Sequence, residues 1–481
     1  MCGIIVEFYK TPCKKSFANE MLSAISHRGN DEVIIDEYIN CTVGYRRFAI
    51  TEIESKSQQT SWKVYLNGEI YNYKELGFEG NETEVLSQGF KTYGVDFVNQ
   101  LNGMFFIVAV NGEHVYCFRD RYGIKPAYYY QNENVILIAS EIKSILTHLE
   151  YNFKINKSAV KQWFVFNNIL TDETLFQKIY KLDKGTVWHI NNDDKIKFWE
   201  WKFTPDNSID FETAKKEIRK LVIQAINRQI PKEVKYSSCL SGGVDSNIIA
   251  SQLSNDVITF TVGFDGVEDE RSQAKLSGRN LVTITYGKVC NFEKTIFHLE
   301  DLRVGASWSN YGLFKTISEM NKKVCFDGAG ADELFGGYEW RYYSFNYFNS
   351  VNRTGVNSEY CKELFNKVFK IDTLENRYKF DAEIFLEGVL LVVDKLSMAH
   401  TIEMRLPFLD NDLVDYALTL PNEFKINKLI LKAAFENDLH PDIITGKKKG
   451  FSSPDWIEGK GNQALKWASA AYKEWIKQFK K

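Results

Sequence analysis

The stretch that decides the fold of the longer half of the chain is Cys239-Leu240-Ser241-Gly242-Gly243-Val244-Asp245-Ser246. A strand-like run, 233–238, precedes it, and a run that resembles the start of a helix, 247–253, follows it. Glycines at such a junction let the backbone approach phosphate oxygens, and the free N–H groups of the first helical turn favour an anion. A Gly-Gly pair alone is more often an ordinary turn, but the flanking serines and Asp245, a suitable Mg²⁺ ligand, favour a phosphate loop. The stretch lacks the Lys-Ser/Thr pair of the Walker motif.

Two later stretches extend this loop into a parallel sheet. Residues 257–263 are predicted to be the next strand, so strand, helix and strand form a parallel unit with a right-handed crossover. Residues 323–326 are predicted to be a further strand, and Asp327-Gly328-Ala329-Gly330-Ala331-Asp332 follows its carboxyl end, where such sheets bind ligands. Asp332 is therefore predicted to share Mg²⁺ with Asp245. The alternative is a helix N-terminus whose dipole favours acidic residues.

Length and composition set outer bounds on function. At 481 residues the chain is expected to hold two or three domains, and a hydrophobic fraction of 44% supports real cores. A formal net charge of −3 provides no basic field for nucleic acid and no polybasic membrane patch. The 8 cysteines form no Cys-x-x-Cys pair, so neither a zinc site nor a disulfide framework is indicated. With no signal peptide and no apolar run of about 18 residues, the sequence predicts a cytoplasmic protein.

The amino terminus carries a second set of reactive residues. Removal of Met1 would leave the free α-amine of Cys2 beside its own thiol, so one residue would supply nucleophile and base. The alternative is a buried strand cysteine, because residues 3–8 are strand-like. The pair Asn67-Gly68 would alone predict a hairpin turn, but it lies between Cys2 and an acidic cluster at 80–84. Together these pieces favour a catalytic role for Cys2.

These pieces resemble the class II glutamine amidotransferase domain, the glutaminases with an N-terminal nucleophile. The resemblance extends to about Lys195 and implies an αββα Ntn-hydrolase sandwich. It implies that Cys2 attacks the glutamine side-chain amide while Asn67 and Gly68 form the oxyanion hole. Arg47 would grip the glutamine carboxylate, a bidentate task that suits a guanidinium. The resemblance also assigns to glutamine Phe48, Ala49, Ile50, Thr51, Glu69 and Glu82, where Glu82 replaces the family's usual Asp and would contact the α-amine.

Over nearly its full length the chain resembles the glutamine-dependent asparagine synthetase family. The loop at 239–246 is similar to the pyrophosphate loop of N-type ATP pyrophosphatases. The resemblance implies a two-domain α/β protein, with a glutaminase over residues 2–195 and a parallel-sheet ATP pyrophosphatase with a helical carboxyl-terminal part over 205–481. In this family ATP converts a carboxylate into an acyl-adenylate. Ammonia from the glutaminase site then reaches the adenylate through an internal channel.

The same resemblance implies the substrates and the residues of the second domain. The substrates would be glutamine, ATP and aspartate or another carboxylate; neither nucleic acid nor membrane is expected, and a homodimer is left open. Lys448, in a basic Lys-x-Gly-Phe loop, would be catalytic, and a solvated charge run is the alternative. Asp245 and Asp332 would hold Mg²⁺. The residues implied to bind ATP are Cys239, Leu240, Ser241, Gly242, Gly243, Asp245, Ser246, Val262, Asp327 and Gly328.

Two positions beside the implied acceptor depart from the family pattern. Ala329 stands where the family has a Glu that matters for adenylate formation, and Gly305 stands where it has an arginine. Losing both charges changes which acceptor can bind, because a buried unpaired charge is costly. The predicted function is a glutamine-hydrolysing asparagine synthase that forms β-aspartyl-AMP. The alternatives are the same chemistry on a sugar acid or natural-product acid, and a glutaminase or regulatory protein whose synthetase half is inactive.

Overall fold

The computed structural model describes residues 2–11, 16–50, 60–304, 308–446 and 454–480. The chain divides into two units, Met1–Val160 with Thr171–Glu200 and Lys161–Leu170 with Trp201–Lys481. Residues 161–170 therefore pack in the second unit, although they precede the end of the first unit in sequence. Across the described ranges, no helix is both long and apolar enough to span a lipid bilayer.

The first unit contains two antiparallel sheets. Its strands are β1 (Gly3–Tyr9), β2 (Glu32–Glu37), β3 (Cys41–Arg47), β4 (Trp62–Ile70), β5 (Gly103–Asn111), β6 (His114–Arg119), β7 (Tyr128–Gln131), β8 (Val135–Ala139), β9 (Ile179–Lys181), β10 (Thr186–His189) and β11 (Asp194–Lys197). One sheet has the order β2-β3-β1-β8-β7-β9 and the other the order β11-β10-β6-β5-β4. The helices are α1 (Ala18–Ala24), α2 (Glu82–Tyr93) and α3 (Ile142–Ile145), and α4 (Lys157–Phe166) crosses into the second unit.

The two sheets face each other across one apolar core. β1 is buried along its whole length because it pairs with β3 on one side and β8 on the other. Val6 and Phe8 of β1 pack in one cluster with Phe106 and Val108 of β5, which belongs to the opposite sheet. Helix α1 packs against β1 and β3, and α2 packs against β4. This arrangement confirms the predicted αββα sandwich.

Strand β4 runs straight through the Asn67-Gly68 pair. The two residues pair with Phe106 and Phe105 of β5, so the dipeptide lies within a strand and not in the hairpin turn that it would indicate alone. Gly68 has a φ of 143°, and a Cβ atom there would lie 1.9 Å from the carbonyl oxygen of Met104. Glycine is therefore required at this position by the close approach of the neighbouring strand.

The second unit is built on a parallel sheet. Its strands are β12 (Tyr236–Cys239), β13 (Thr259–Phe264), β14 (Leu281–Tyr286), β15 (Val324–Phe326) and β16 (Glu403–Arg405), in the order β14-β13-β12-β15-β16. Its helices are α5 (Phe211–Gln229), α6 (Val244–Gln252), α7 (Arg271–Lys275), α8 (Phe292–Leu299), α9 (Trp308–Glu319), α10 (Ala331–Leu334), α11 (Glu339–Tyr342), α12 (Tyr347–Val351), α13 (Glu359–Val368), α14 (Leu374–Phe380), α15 (Leu386–Met398), α16 (Asn411–Ala417), α17 (Asn422–Lys425), α18 (Leu429–Ala434), α19 (Pro441–Thr445) and α20 (Gln463–Phe479). A π-helical turn, Asp381–Phe385, joins α14 to α15.

The strand order places the two predicted ligand loops side by side. β12 is central and pairs in parallel with β13 and with β15. The loop that leads into α6 and the loop that follows β15 therefore leave the same edge of the sheet. This confirms the predicted parallel α/β architecture of the second half. Folds of this kind bind ligands at the carboxyl ends of their strands, which is where these two loops lie.

Candidate active sites

Cys2 lies immediately before β1, and hydrogen bonds hold it on three sides. Its nitrogen donates to Oδ1 of Asn67 at 3.0 Å, and its carbonyl oxygen accepts from Nε of Arg28 at 3.1 Å. The hydroxyl of Tyr45 lies 2.9 Å from Sγ of Cys2 and 3.0 Å from the carbonyl oxygen of Leu66. These contacts fix the nitrogen and the thiol of Cys2 beside β4. The residue is buried, with 6% of its surface exposed.

The side-chain amide of Asn67 contacts the Cys2 nitrogen through one end and has an unused donor at the other. Its Oδ1 is occupied by the Cys2 nitrogen, whereas its Nδ2 is buried and has no hydrogen-bond partner within the described residues. A buried donor left unsatisfied costs roughly 1–3 kcal/mol. Such a donor is suited to an oxygen atom of a ligand, and above all to one that gains negative charge during reaction.

The predicted glutamine-binding segment follows β3. Arg47 ends the strand half-buried, and the three residues after it are buried: Phe48, Ala49 and Ile50. Asp31 clamps this segment, since its N–H donates to the carbonyl oxygen of Arg47 at 3.1 Å and its carboxylate accepts from the N–H of Ala49 at 2.7 Å. Thr51 lies outside the described residues.

Two acidic residues that are predicted to bind glutamine lie on β4 and at the start of α2. Glu69 follows the Asn67-Gly68 pair on β4 and is buried. Glu82 is the first residue of α2, and its Oε1 accepts from the N–H of Ile70 at 2.8 Å. Glu82 is thereby tied to the end of β4, and its implied contact with the α-amine of glutamine stays a prediction.

A buried carboxylate, Glu141, is linked to the backbone of Cys2 through Arg28. Glu141 accepts from Arg28 Nη1 at 2.8 Å and lies 3.0 Å from Nε2 of His27, and Lys143 also forms an ion pair with it. Burial alone would raise the pKa of Glu141, but the attraction of His27, Lys143 and Arg28 holds that pKa well below its usual range. Arg28 therefore links this charge cluster to the carbonyl oxygen of Cys2.

In the second unit, the loop between β12 and α6 is shaped by its own side chains. The N–H of Ser241 donates to Oγ of Ser246 at 3.0 Å, and the N–H of Gly243 donates to Oγ of Ser241 at 3.1 Å. The neighbouring loop touches it: a Cβ atom on Gly328 would lie 2.9 Å from Cβ of Asp245. The two loops thus form one surface, as predicted.

A cavity of about 610 Å³ opens on this surface. That volume is typical of small-molecule sites. Ala329 also lines the cavity, whereas Gly305 and Lys448 lie outside the described residues. The lining contains every residue predicted to bind ATP or metal: Cys239, Leu240, Ser241, Gly242, Gly243, Asp245, Ser246, Val262, Asp327, Gly328 and Asp332.

The two predicted metal ligands share a cation that the sequence does not reveal. Lys428 forms ion pairs with both Asp245 and Asp332. Desolvation would lower the pKa of Lys428, but the two carboxylates raise it above its usual range. The carboxylates are therefore arranged around one positive charge. The described residues contain no cluster of three or more His, Cys, Asp or Glu side chains that could hold a metal ion.

Lys428 reaches this position through an unusual backbone. Asn427 and Lys428 have φ values of 54° and 59°, in the left-handed region that costs free energy for such residues. Their N–H groups donate to the carbonyl oxygens of Gly336 and Phe335 at 3.0 and 2.9 Å, which holds the strained pair in place. Strain of this kind concentrates at functional sites.

Comparisons with known proteins match both halves of the chain. The asparagine synthase family model matches residues 217–477, and the glutamine amidotransferase domain model matches residues 1–201. The chain is similar to asparagine synthetase [glutamine-hydrolyzing] 1 of Bacillus subtilis, with 28% identity covering 96% of this chain and 89% of the relative. It is 30% identical to putative asparagine synthetase [glutamine-hydrolyzing] 2 of Methanocaldococcus jannaschii, covering 70% of this chain and 76% of the relative. The asparagine synthetase [glutamine-hydrolyzing] of Gallus gallus is 25% identical, covering 94% and 84%.

Proposed function

The chain belongs to the asparagine synthase family, and from that premise we propose that it is a glutamine-hydrolysing asparagine synthase. Its family makes it a glutamine-dependent carbon–nitrogen ligase that uses glutamine and ATP. The proposal assigns the glutaminase to residues 2–195 and the ATP-dependent, amide-forming domain to residues 205–481. Aspartate would be the acceptor, and the products would be asparagine, glutamate, AMP and pyrophosphate.

In the glutaminase half, Cys2 is the nucleophile. After removal of Met1, the α-amine takes the thiol proton and Sγ attacks the side-chain amide carbon of glutamine. The carbonyl oxygen becomes negative and accepts from Nδ2 of Asn67 and the N–H of Gly68. Ammonia leaves with the returned proton, and water hydrolyses the thioester to glutamate. The observation that supports this assignment most strongly is the buried Nδ2 of Asn67, which has no partner among the described residues and belongs to the amide whose Oδ1 accepts from the Cys2 nitrogen.

Arg47 is proposed to orient glutamine for this attack. A guanidinium binds a carboxylate through two parallel N–H donors, which fixes both distance and angle. The Asp31 clamp on the backbone around Arg47 holds the donor segment still before substrate arrives. Pre-organisation of this kind is worth more in the transition state than in substrate binding alone.

In the synthetase half, a carboxylate oxygen of the acceptor attacks the α-phosphorus of ATP. Pyrophosphate leaves toward the loop at 241–246, where the first turn of α6 favours negative charge. Ammonia then attacks the acyl carbon and AMP departs. Lys448 is proposed to stabilise the charge that builds on the α-phosphate and on the leaving group.

Asp245 and Asp332 are proposed to hold Mg²⁺. They fit this role because the fold brings the two carboxylates around a single positive charge, that of Lys428. Two carboxylates together with phosphate oxygens suit a hard cation of this kind. When bound, Mg²⁺ would neutralise charge on the leaving pyrophosphate.

The identity of the acceptor acid depends on the residues that line the cavity. Ala329 lines the cavity where the resemblance expects a Glu, which favours as the second candidate the same chemistry on a sugar acid or natural-product acid. A glutaminase or regulatory protein with an inactive synthetase half is the third candidate. The intact phosphate loop and the paired Asp245 and Asp332 argue against it. A homodimer and a cytoplasmic location stay predictions.

One assay separates these candidates. Ammonia-dependent pyrophosphate release is measured with aspartate and with a panel of other carboxylic acids. Release with aspartate supports the asparagine synthase. Release with another acid but not with aspartate would refute the asparagine assignment and retain the amide ligase. No release with any acid, together with no binding of Mg²⁺-ATP in calorimetry, would show that the synthetase half is inactive.

A further inference from the structure

Arg353 lines the cavity from a rigid turn that follows α12. The hydroxyl of Thr354 donates to the carbonyl oxygen of Val165 at 3.2 Å, and the N–H of Gly355 donates to Oδ1 of Asn352 at 3.1 Å. The carbonyl oxygen of Arg353 itself accepts from Nδ2 of Asn462 at 3.1 Å. The backbone is therefore held on both sides of Arg353, a residue of the cavity lining.

The charge of Arg353 is not paired with a carboxylate among the described residues. Within the described part of the chain its side chain forms no ion pair, and the charged group that acts on it is another cation, Arg341. Desolvation, followed by the repulsion of Arg341, lowers the pKa of Arg353, and the only attraction that opposes them comes from the Tyr338 phenol. The Arg353 side chain is exposed and lines the cavity, so an anionic ligand there would meet a positive charge that forms no ion pair among the described residues.

The carboxylates nearby are already engaged. Asp381 forms an ion pair with Arg341, whose guanidinium lies 4.8 Å from the ring centroid of Tyr338 and 4.2 Å from that of Phe385. Glu333 accepts from the hydroxyl of Tyr338 at 2.7 Å. Nε of Arg341 is buried and has no partner among the described residues. Arg341 and Arg353 therefore add two positive charges to the cavity lining, and the carboxylate of Glu333 beside them is engaged by Tyr338.

The lining also contains apolar residues that are separate in sequence from the phosphate loops. Helix α15 contributes Val389, Val392 and Val393 to the cavity, and Leu313 of α9 adds to them. A carbon skeleton can pack on such a wall, but a second charge on the acceptor would need a counter-ion there. Arg353 is the lining residue that supplies one.

We propose that Arg353 binds a second anionic group of the acceptor, so that the acceptor class is acids with two anionic groups. One is the carboxylate that is amidated, and the other is a carboxylate or a phosphate held by Arg353. The inference rests on the proposed function and narrows its acceptor. Aspartate belongs to this class and so does a phosphorylated sugar acid, whereas a sugar acid with a single carboxylate does not.

The test uses the full chain with ammonia as nitrogen donor and reads two quantities. The first is equilibrium binding of each acid to protein loaded with Mg²⁺ and a non-hydrolysable ATP analogue; the second is pyrophosphate release. The acids are aspartate, succinate, glucuronate and glucuronate 1-phosphate. The variants are Arg353→Ala, Arg353→Lys and, as a control outside the cavity lining, Arg279→Lys, whose guanidinium bonds to backbone carbonyls near Leu253.

Acids with two anionic groups should bind the wild type more tightly than glucuronate. Arg353→Ala should weaken that binding, and raise KM for the acceptor, about ten- to a hundredfold while the Kd of the ATP analogue stays unchanged. Arg353→Lys should recover part of the loss because it keeps the charge but not the two-donor geometry. Arg279→Lys should behave as wild type.

Three results would overturn the inference. They are unchanged acid binding in Arg353→Ala, equal binding of glucuronate and the dianionic acids, and a loss of nucleotide affinity in place of acid affinity. Failure of the proposed function is distinguishable from these. Arg353-dependent binding of dianionic acids without pyrophosphate release would contradict the ligase but support the inference. Turnover of glucuronate that is independent of Arg353 would support the ligase and contradict the inference about Arg353.

Discussion

Replacing Asn67 tests the glutaminase half through one atom. Nδ2 is buried without a partner, so its removal breaks no hydrogen bond of the free protein within the described residues, and the bond from the Cys2 nitrogen to Oδ1 is worth only about 1 kcal/mol. Loss of one donor to a developing oxyanion costs about 3–4 kcal/mol, or 10²–10³-fold in kcat. We therefore expect Asn67→Ala to lose glutaminase kcat by about that factor while its free energy of unfolding changes by about 1 kcal/mol.

The assay for this prediction is glutamate release, with urea denaturation as the stability control. Asn67→Asp keeps an oxygen for the Cys2 nitrogen but removes the amide donor, so it should lose kcat as Asn67→Ala does. Ammonia-driven pyrophosphate release should be unaffected in both, because Asn67 lies in the first unit. A folded Asn67→Asp protein that keeps more than about a tenth of the wild-type kcat would refute the reasoning.

Three further substitutions address other parts of the two sites. Tyr45→Phe removes the hydroxyl 2.9 Å from Sγ of Cys2 and should lower glutaminase kcat about tenfold with the fold intact by circular dichroism; an unchanged kcat would contradict it. Lys428→Met leaves two carboxylates without their shared cation and should lower the free energy of unfolding by about 3–5 kcal/mol in urea, a loss that Mg²⁺-ATP partly restores; wild-type stability would count against it. The pKa of Glu141 is depressed in the fold, so its stabilisation is present above the unfolded value of about 4.3 and is lost as pH falls through the folded value. Glu141→Gln should therefore be less stable near pH 7 and lose stability less steeply below about pH 4, and parallel pH curves would be inconsistent with this.

The parts of the fold that local sequence controls were predictable. Glycines and hydroxyls between a strand and a helix specify the loop at 241–246, and in the structure its own serines make the bonds that shape it. The predicted ATP residues line one cavity because parallel strands deliver their carboxyl ends to one edge. Resemblance, rather than spacing, was needed to connect Cys2 with Asn67, which lie 65 residues apart.

The partners that complete both sites were not predictable. Lys428 reaches Asp245 across 183 positions, and Arg28 reaches Glu141 across 113, with no local pattern that signals either pair. At Asn67-Gly68 the turn propensity of the dipeptide is overridden because β4 pairs with β5 along its whole length. Long-range pairing of this kind is a property of the packed chain, and a window of sequence does not contain it.

Cys2→Ala tests the two-site account most directly. The substitution removes only the thiol that contacts Tyr45, at the head of β1. Pyrophosphate release and amide formation are measured with an acceptor acid and ATP, once with glutamine and once with ammonium as the nitrogen source. We predict that glutamine-driven turnover is abolished while ammonia-driven turnover stays at the wild-type level. Equal loss of both activities in a folded protein, or persistence of glutamine-driven turnover, would contradict the assignment of glutamine hydrolysis to Cys2 and of amide formation to the second unit.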